Sequence, residues 1–388
     1  MSRPETKGKS VAGQFARQVA GQTVEQTVIC DLCPRECHIA NGKNGYCFVR
    51  QNHDGTLIAA AYGRSTGFCI DPVEKKPLYH FLPGTPTLSF GTVGCNLGCL
   101  HCQNWQTSHC RSLVPLTEHA MPETIADAAR QLECPSVSFT YNEPVVWAEY
   151  AVDTAKACRE RGVKTVVVSA GYIMPEPRKW FFEQIDAANI DLKAFSERFY
   201  QEISGVSLQP VLDTLRYVAR ETDVWLEVTT LLIPGKNDDP EELRRMCDWF
   251  VHELGEHVPL HFSAFHPAHK LQEIMPTSPD SLFLVREFAR KAGIRHVYPG
   301  NVSFVREQST FCPQCGQCVL ERNDLGTFAR QITLPENTDQ STAARSTANG
   351  VTASTAKANC RNCGTLIPGV FQPVVGNWGN RRQGVRFS

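Results

Sequence analysis

Between residues 85 and 305, short apolar or β-branched runs alternate with amphipathic stretches, and this alternation constrains the fold more than any other feature of the 388-residue chain. The runs fall at 87–92, 136–140, 164–169, 188–192, 224–232, 260–265 and 294–298. Between two of them, 145–161 carries Trp147, Tyr150, Ala151, Thr154, Ala155 and Cys158 close to a helical stripe, and Pro144 suits a first helical turn. The stretches 240–254 and 280–292 read the same way. This pattern predicts an α/β chain built on parallel strands, each pair joined by a helix. Ligand sites in such folds sit at the C-terminal ends of the strands, so the residues just after each run are the candidates.

The flanks divide into zones. Residues 1–29 read as a flexible leader with at most one short helix around 15–19, and 30–84 as a cysteine-rich module. Residues 306–370 carry two C-x2-C knuckles, interrupted at 332–358 by a Ser/Thr/Ala/Asn-rich stretch that reads as a disordered insertion. Residues 371–388 read as a tail with Arg381, Arg382 and Arg386. Formal net charge is −1, which argues against nucleic acid or an anionic membrane as partner. No apolar run reaches spanning length, and the N-terminus lacks a secretory core, so a cytoplasmic location is expected.

The 17 cysteines are not spread evenly. They fall in knots at 30/33/37/47, 95/99/102, 312/315/318 and 360/363, which read as metal sites rather than disulfides. The isolated Cys69, Cys110, Cys134, Cys158 and Cys247 read as small buried hydrophobes. Gly94-Cys95-Asn96-Leu97-Gly98-Cys99-Leu100-His101-Cys102 directly follows the first strand-like run of the middle zone. C-x3-C-x2-C is expected only roughly 0.03 times by chance at this cysteine content. Three thiolates on one loop can bind three irons of a cubane, whereas full ligation takes four cysteines, so one iron stays open to a small molecule. The alternative is a structural zinc knot that borrows His101 or Cys110.

This motif after the first strand of a β/α chain resembles the radical SAM superfamily. The resemblance implies a partial (β/α)6 barrel and a 4Fe–4S cluster on Cys95, Cys99 and Cys102. It implies that S-adenosylmethionine (SAM) chelates the open iron and is cleaved reductively to a deoxyadenosyl radical that abstracts hydrogen from a substrate. A low-potential donor such as flavodoxin or ferredoxin would supply the electron. His101 stands where the family usually has an aromatic residue near adenine, and Gly98 where many members carry Arg.

Further residues fall where a SAM site would need them. Tyr141-Asn142-Glu143-Pro144 resembles the Gly-Gly-Glu-Pro motif that receives the SAM amino group, with a helix-starting Glu-Pro as the structural alternative. Ser169 follows the next run, where a plain strand-to-helix turn is the alternative. Asp191-Leu192-Lys193 resembles a segment of glycyl-radical-enzyme activases in which the cation meets the SAM carboxylate; a buried ion pair is the alternative. Glu227 is expected to face the ribose hydroxyls, and His266 to approach the adenosyl group.

The pairs Cys312/Cys315 and Cys360/Cys363 read as a tetrahedral zinc ribbon, with Cys318 outside it and a second iron–sulfur cluster as the alternative. Cys30, Cys33, Cys37 and Cys47 supply four thiolates at uneven spacing, open to either zinc or an auxiliary cluster. The whole constellation also includes the segment 71–84, Cys102-Gln-Asn-Trp105, Tyr298-Pro-Gly-Asn301 and Ile367-Pro-Gly-Val370. It resembles the AmmeMemoRadiSam-system radical SAM proteins, relatives of pyruvate formate-lyase activating enzymes, and implies Memo-like and AMMECR-like partners. Three functions compete: direct modification of an unidentified substrate, activation of a glycyl-radical enzyme, and a non-enzymatic zinc scaffold or nucleic-acid binder.

Overall fold

The structure, a computed structural model, describes residues 11–18, 26–303, 306–336 and 358–387. Its centre is one nine-stranded sheet. Eight strands follow in chain order: β1 Phe68–Pro72, β2 Pro86–Phe90, β3 Ser136–Phe139, β4 Lys164–Ser169, β5 Ala187–Asp191, β6 Trp225–Leu232, β7 Leu260–Ala264 and β8 Val297–Gly300. The ninth, β9, is Gln383–Val385. Helices α1 Pro122–Gln131, α2 Ala148–Glu160, α3 Pro175–Phe182, α4 Gln209–Glu221, α5 Pro240–Glu253 and α6 Pro279–Lys291 lie between the successive strands from β2 to β8.

Strands β2 to β8 pair in parallel, each with its neighbour in sequence. Six β/α units and a final strand therefore give the expected α/β radical SAM architecture, one parallel strand longer than six. The strands are buried on both faces, which is why they read as near-continuous apolar runs rather than alternating ones. Helix starts follow local chemistry: Asp239 accepts from the Glu242 N–H ahead of α5, and Ser278 from the Ser281 N–H ahead of α6. β8 begins three residues into the run at 294–298 because Ile294 serves the preceding helix end. Its N–H bonds the Ala289 carbonyl at 3.1 Å and the Gly293 N–H bonds Arg290 at 3.1 Å, which closes α6 in a Schellman turn.

The flanks differ from their sequence reading at four points. Ala16–Gln18 is a strand, not part of a helix, and pairs with Val28–Cys30. A single helical turn there would lie below the nucleation threshold, whereas pairing gives the backbone partners. Residues 1–10 and 19–25 of the expected leader lie outside the described residues. β1 sits within the expected 30–84 module, yet it joins the central sheet antiparallel to β2. The expected tail supplies β9, which covers the otherwise open edge of β1, with Phe387 edge-on to Phe68 at 4.4 Å. Finally, the ends of the expected 332–358 insertion are strands, Ile332 pairing with Cys360, while 337–357 lie outside the described residues. Among the described residues, no helix is long and apolar enough to cross a membrane.

The barrel floor is polar and buried. Glu227, near the start of β6, is fully buried. Its carboxylate accepts from the Tyr79 N–H at 2.9 Å, the His80 N–H at 2.7 Å and the Trp225 indole at 3.0 Å, and bonds His261 Nε2 at 2.6 Å. The expected ribose contact is therefore not made. Glu227 lies at the wrong end of its strand for that and instead seals the floor with the 79–80 segment. His80 extends the network from Pro368 O at 2.6 Å to Tyr298 Oη at 2.6 Å. A carbonyl on Nδ1 requires the proton there, so Nε2 accepts from Tyr298.

Two predictions follow from this floor. Glu227→Gln leaves buried donors short of an acceptor and should cost about 3 kcal/mol in urea unfolding; an unchanged midpoint would show that the carboxylate holds nothing together. Burial pushes His80 down to about 3 from 6.5 and places His296 well below its ordinary value. Below pH 6.5 the unfolded chain binds protons that these folded imidazoles refuse, so stability falls as pH drops from 6.5 toward 3 and is insensitive to them above 6.5. The slope is about 1.4 kcal/mol per pH unit per histidine, and a thermal midpoint that stays level from pH 7 to pH 5 would contradict it.

Candidate active site: a cysteine-rimmed cleft at the strand ends

The loop after β2 leaves the sheet at its C-terminal edge and carries Cys95, Cys99 and Cys102. Gly94 has φ +87°, and a Cβ there would lie 2.1 Å from the Cys47 carbonyl oxygen, so only glycine allows this approach. Asn142, after β3, holds the loop from the other side. Its Oδ1 accepts from the Thr92 N–H at 2.8 Å, and its Nδ2 donates to the Gly94 carbonyl at 2.7 Å. Further on, the Gly98 N–H bonds Ser204 O at 2.8 Å and the Leu100 N–H bonds Ile203 O at 2.9 Å.

The three cysteines line a cleft of about 990 Å³, measured with its open mouth, together with Asn142, Glu143, Ser169, Asp191 and Lys193. Five of the seven residues expected near a cofactor therefore meet the triad in one place. Neither His101 nor Cys110 forms a close ligand set with the triad, and no three of these sulfurs lie within 4.8 Å of one another. His101 also lines the cleft; burial and then Lys193 hold it neutral, down to about 3. Burial, and then Glu143, pushes the Cys95 thiol well up, so binding a metal there must release a proton.

Glu143 accepts three hydrogen bonds in the cleft. Ser169 Oγ donates to its Oε1 at 2.6 Å, the Ala170 N–H to Oε2 at 2.7 Å and the Val145 N–H to Oε1 at 3.1 Å. Burial still raises its pKa despite these donors. Glu143 thus caps the short turn Pro144–Trp147 and faces the cleft as well, so the structural and ligand readings coexist. Lys193 Nζ pairs with Asp191 Oδ2 at 2.8 Å. Burial disfavours its charge, but Asp191 and the Cys99 sulfur outweigh that and hold the ammonium above the ordinary lysine range. Asn142 is less free than expected, since both ends of its carboxamide serve the loop.

Two expected residues are absent from the cleft. Glu227 belongs to the floor. His266 is exposed and approaches Asn301 O at 3.2 Å, in a separate groove with Thr277 and Val302. It lies two residues beyond the end of β7. The cleft wall from β6 and β7 is instead Thr229, Leu231 and Ser263. Strand periodicity carries that signal: 227, 229 and 231 share a face, so a buried Glu227 at the floor puts the next two up the wall.

The outer cysteines form two different arrangements. Cys312, Cys315, Cys360 and Cys363 have all four sulfurs within 4.8 Å, with Cys312–Cys363 at 3.5 Å and Cys315–Cys360 at 3.6 Å. Cys318 begins the strand Cys318–Asn323 and stands outside this set. Cys30, Cys33, Cys37 and Cys47 line a separate cavity.

Comparison with known proteins agrees with this layout. The Radical SAM superfamily model matches residues 90–247, from the end of β2 into α5. An uncharacterized protein of Methanocaldococcus jannaschii is 41% identical over 77% of this chain and 88% of its own length. The Escherichia coli K12 pyruvate formate-lyase 1-activating enzyme is 22% identical over 54% of this chain and 91% of its own. A solved domain of pyruvate-formate lyase-activating enzyme from Bacteroides vulgatus superposes with TM-score 0.38 at 21% identity, over 42% of this chain and 98% of that one. The superfamily's span covers the loop, Glu143, Ser169 and the Asp191–Lys193 pair, and the chain belongs to the radical SAM superfamily.

Proposed function

We propose that this chain is a radical SAM enzyme in which Cys95, Cys99 and Cys102 hold a 4Fe–4S cluster and the adjoining cleft holds S-adenosylmethionine. The observation that carries the reading is the company the triad keeps. It brings three sulfurs to a cleft with no fourth cysteine among the described residues, beside a buried carboxylate and a lysine ammonium. Three cysteines leave one corner of a cubane free. Glu143 can accept from the SAM amino group, with Ser169 holding its orientation. Lys193, steadied by Asp191, offers positive charge to a carboxylate. When bound, the cluster and SAM together supply a deoxyadenosyl radical that takes hydrogen from a substrate. The chain's own part is to orient, to neutralise charge and to keep water out, with Leu231 and Val168 as apolar wall.

A second reading, activation of a glycyl-radical enzyme, is favoured by the similarity to pyruvate formate-lyase activating enzymes and by the Asp191–Lys193 pair. Memo-like and AMMECR-like partners, and flavodoxin or ferredoxin as donor, belong to the same reading by resemblance. For Cys312, Cys315, Cys360 and Cys363 the reading is zinc. A 2.3 Å Zn–S bond in a tetrahedron separates sulfurs by about 3.8 Å, close to the 3.5 Å and 3.6 Å observed. The scaffold reading would need zinc in the triad too, and the wide spacing of those sulfurs disfavours it.

Two outcomes are expected. In anaerobically reconstituted protein with dithionite and SAM, Cys99→Ala should lower deoxyadenosine formation at least ~100-fold; undiminished cleavage would sink the assignment. Cys360→Ala should lose about one zinc per chain and much of the soluble yield, while the protein that stays in solution still forms deoxyadenosine. Retention of full zinc by that variant would rule out the ribbon.

A further inference from the structure

The N-terminal cysteines, left open between zinc and a cluster by their spacing, line a pocket of about 310 Å³, measured with its open side, together with Leu32, Val145 and Val146. Cys30 and Cys37 face each other as the pair that closes the hairpin of Val28–Cys30 with Cys37–Ile39. Cys33 sits on the turn between them, and Cys47 comes from the next loop. Three of the four are buried and Cys37 is half-buried.

Three observations distinguish this set from the C-terminal one. The first is spacing: no three of its sulfurs lie within 4.8 Å, in contrast to the C-terminal quartet. The triad at Cys95, Cys99 and Cys102 shares that wider spacing. One ion draws its ligands together, whereas cubane ligands sit on separate irons. The second is the backbone. The Tyr46 N–H donates to Cys37 Sγ at 3.4 Å, and the amides of Leu32, Arg35 and Arg50 lie near Cys30, Cys33 and Cys47 and favour their thiolates. Each sulfur thus has an amide suited to a thiolate. The third is Arg50, which lines the cavity and is 2% exposed. Its terminal nitrogens bond Glu149 at 2.7 and 2.6 Å, but its Nε has no partner among the described residues. A sulfur in the cavity would satisfy that donor.

We propose that Cys30, Cys33, Cys37 and Cys47 ligate a second 4Fe–4S cluster that relays electrons to the cluster on Cys95, Cys99 and Cys102. The relay role rests on the radical SAM reading of the triad. Four cysteines occupy every iron, so this cluster has no corner for a substrate and its role is electron transfer. The two sites share a wall. Asn96, next to Cys95, lines the N-terminal cavity, and the Cys47 carbonyl packs on Gly94. Arg35 clamps the wall, donating to Asn96 O at 2.5 Å and to Gly205 O at 2.7 Å. One electron from a reduced flavodoxin-class donor reduces the outer cluster. The same electron then passes inward, reoxidising the outer cluster and reducing the inner one, with no bond made or broken. Cys37, the least buried ligand, marks the side of entry.

The test uses full-length protein reconstituted anaerobically. Wild type should hold about eight irons per chain, and the triple variant Cys95→Ala/Cys99→Ala/Cys102→Ala about four, with a reduced EPR signal indifferent to SAM. Cys33→Ala/Cys37→Ala should keep about four irons and a SAM-sensitive signal. Flavodoxin-driven deoxyadenosine formation should fall at least ~10-fold in that variant, and dithionite, which reaches the inner cluster directly, should restore it. Cys37→Ser provides a milder version, and zinc retained at the C-terminal quartet reports that either variant is folded. Zinc or no metal at the N-terminal site in the triad variant overturns the cluster. An unchanged flavodoxin-driven rate overturns the relay. Wild type whose iron signal ignores SAM overturns the reading of the triad, a failure separate from an N-terminal site that still holds four irons.

Discussion

The buried carboxamide of Asn142 is the contact on which the cleft depends. Strand β2 ends at Phe90, and after Gly91, whose carbonyl accepts from the Thr66 N–H, residues 92–94 pair with no strand among the described residues. Asn142 stands in for that neighbour, taking the Thr92 N–H and giving to the Gly94 carbonyl. The cysteine loop is thereby tied to the end of β3, where Glu143 is the next residue. Gly94 then allows the Cys47 backbone to close on the loop from the N-terminal module. Sulfurs, carboxylate and second cysteine set are thus positioned by one side chain and one missing Cβ.

The barrel separates stability from chemistry along single strands. On β6, Glu227 belongs to the floor while Thr229 and Leu231 line the cleft. On β7, His261 bonds Glu227 and Ser263 lines the cleft. The floor around Glu227 is a connected set of hydrogen bonds among buried groups, and such networks are rigid where their members satisfy one another. The cleft end holds its charges more loosely: Asp191 retains one-third of its side-chain surface. That exposure leaves room for a ligand to enter the hydrogen-bonding scheme.

The three cysteine sets also divide by geometry. The C-terminal quartet is drawn tight in a small hydrophobic core of its own, with Val319, Ile332 and Ile367. The triad and the N-terminal set are wider, and both pack against the main core. A single ion and a cubane impose different ligand separations, and the proposed assignments of the three sets follow that difference.

Much of this was written in the sequence. Strand positions and the helix between each pair follow from periodicity, and the triad from its cysteine spacing. Glu143, Ser169, Asp191 and Lys193 are picked out by resemblance to radical SAM motifs together with the rule that parallel strands present their C-terminal ends together. Other features were out of reach. Glu227 and His266 looked alike as polar residues on or near late strands, but depth along a strand and the turn after it depend on register, which local pattern does not encode. Ala16–Gln18 and Gln383–Val385 became strands only because distant edges needed covering. The spacing of sulfurs likewise emerged only from folding, since a run of residues sets which cysteines are near in chain while packing sets how far apart their tips are held.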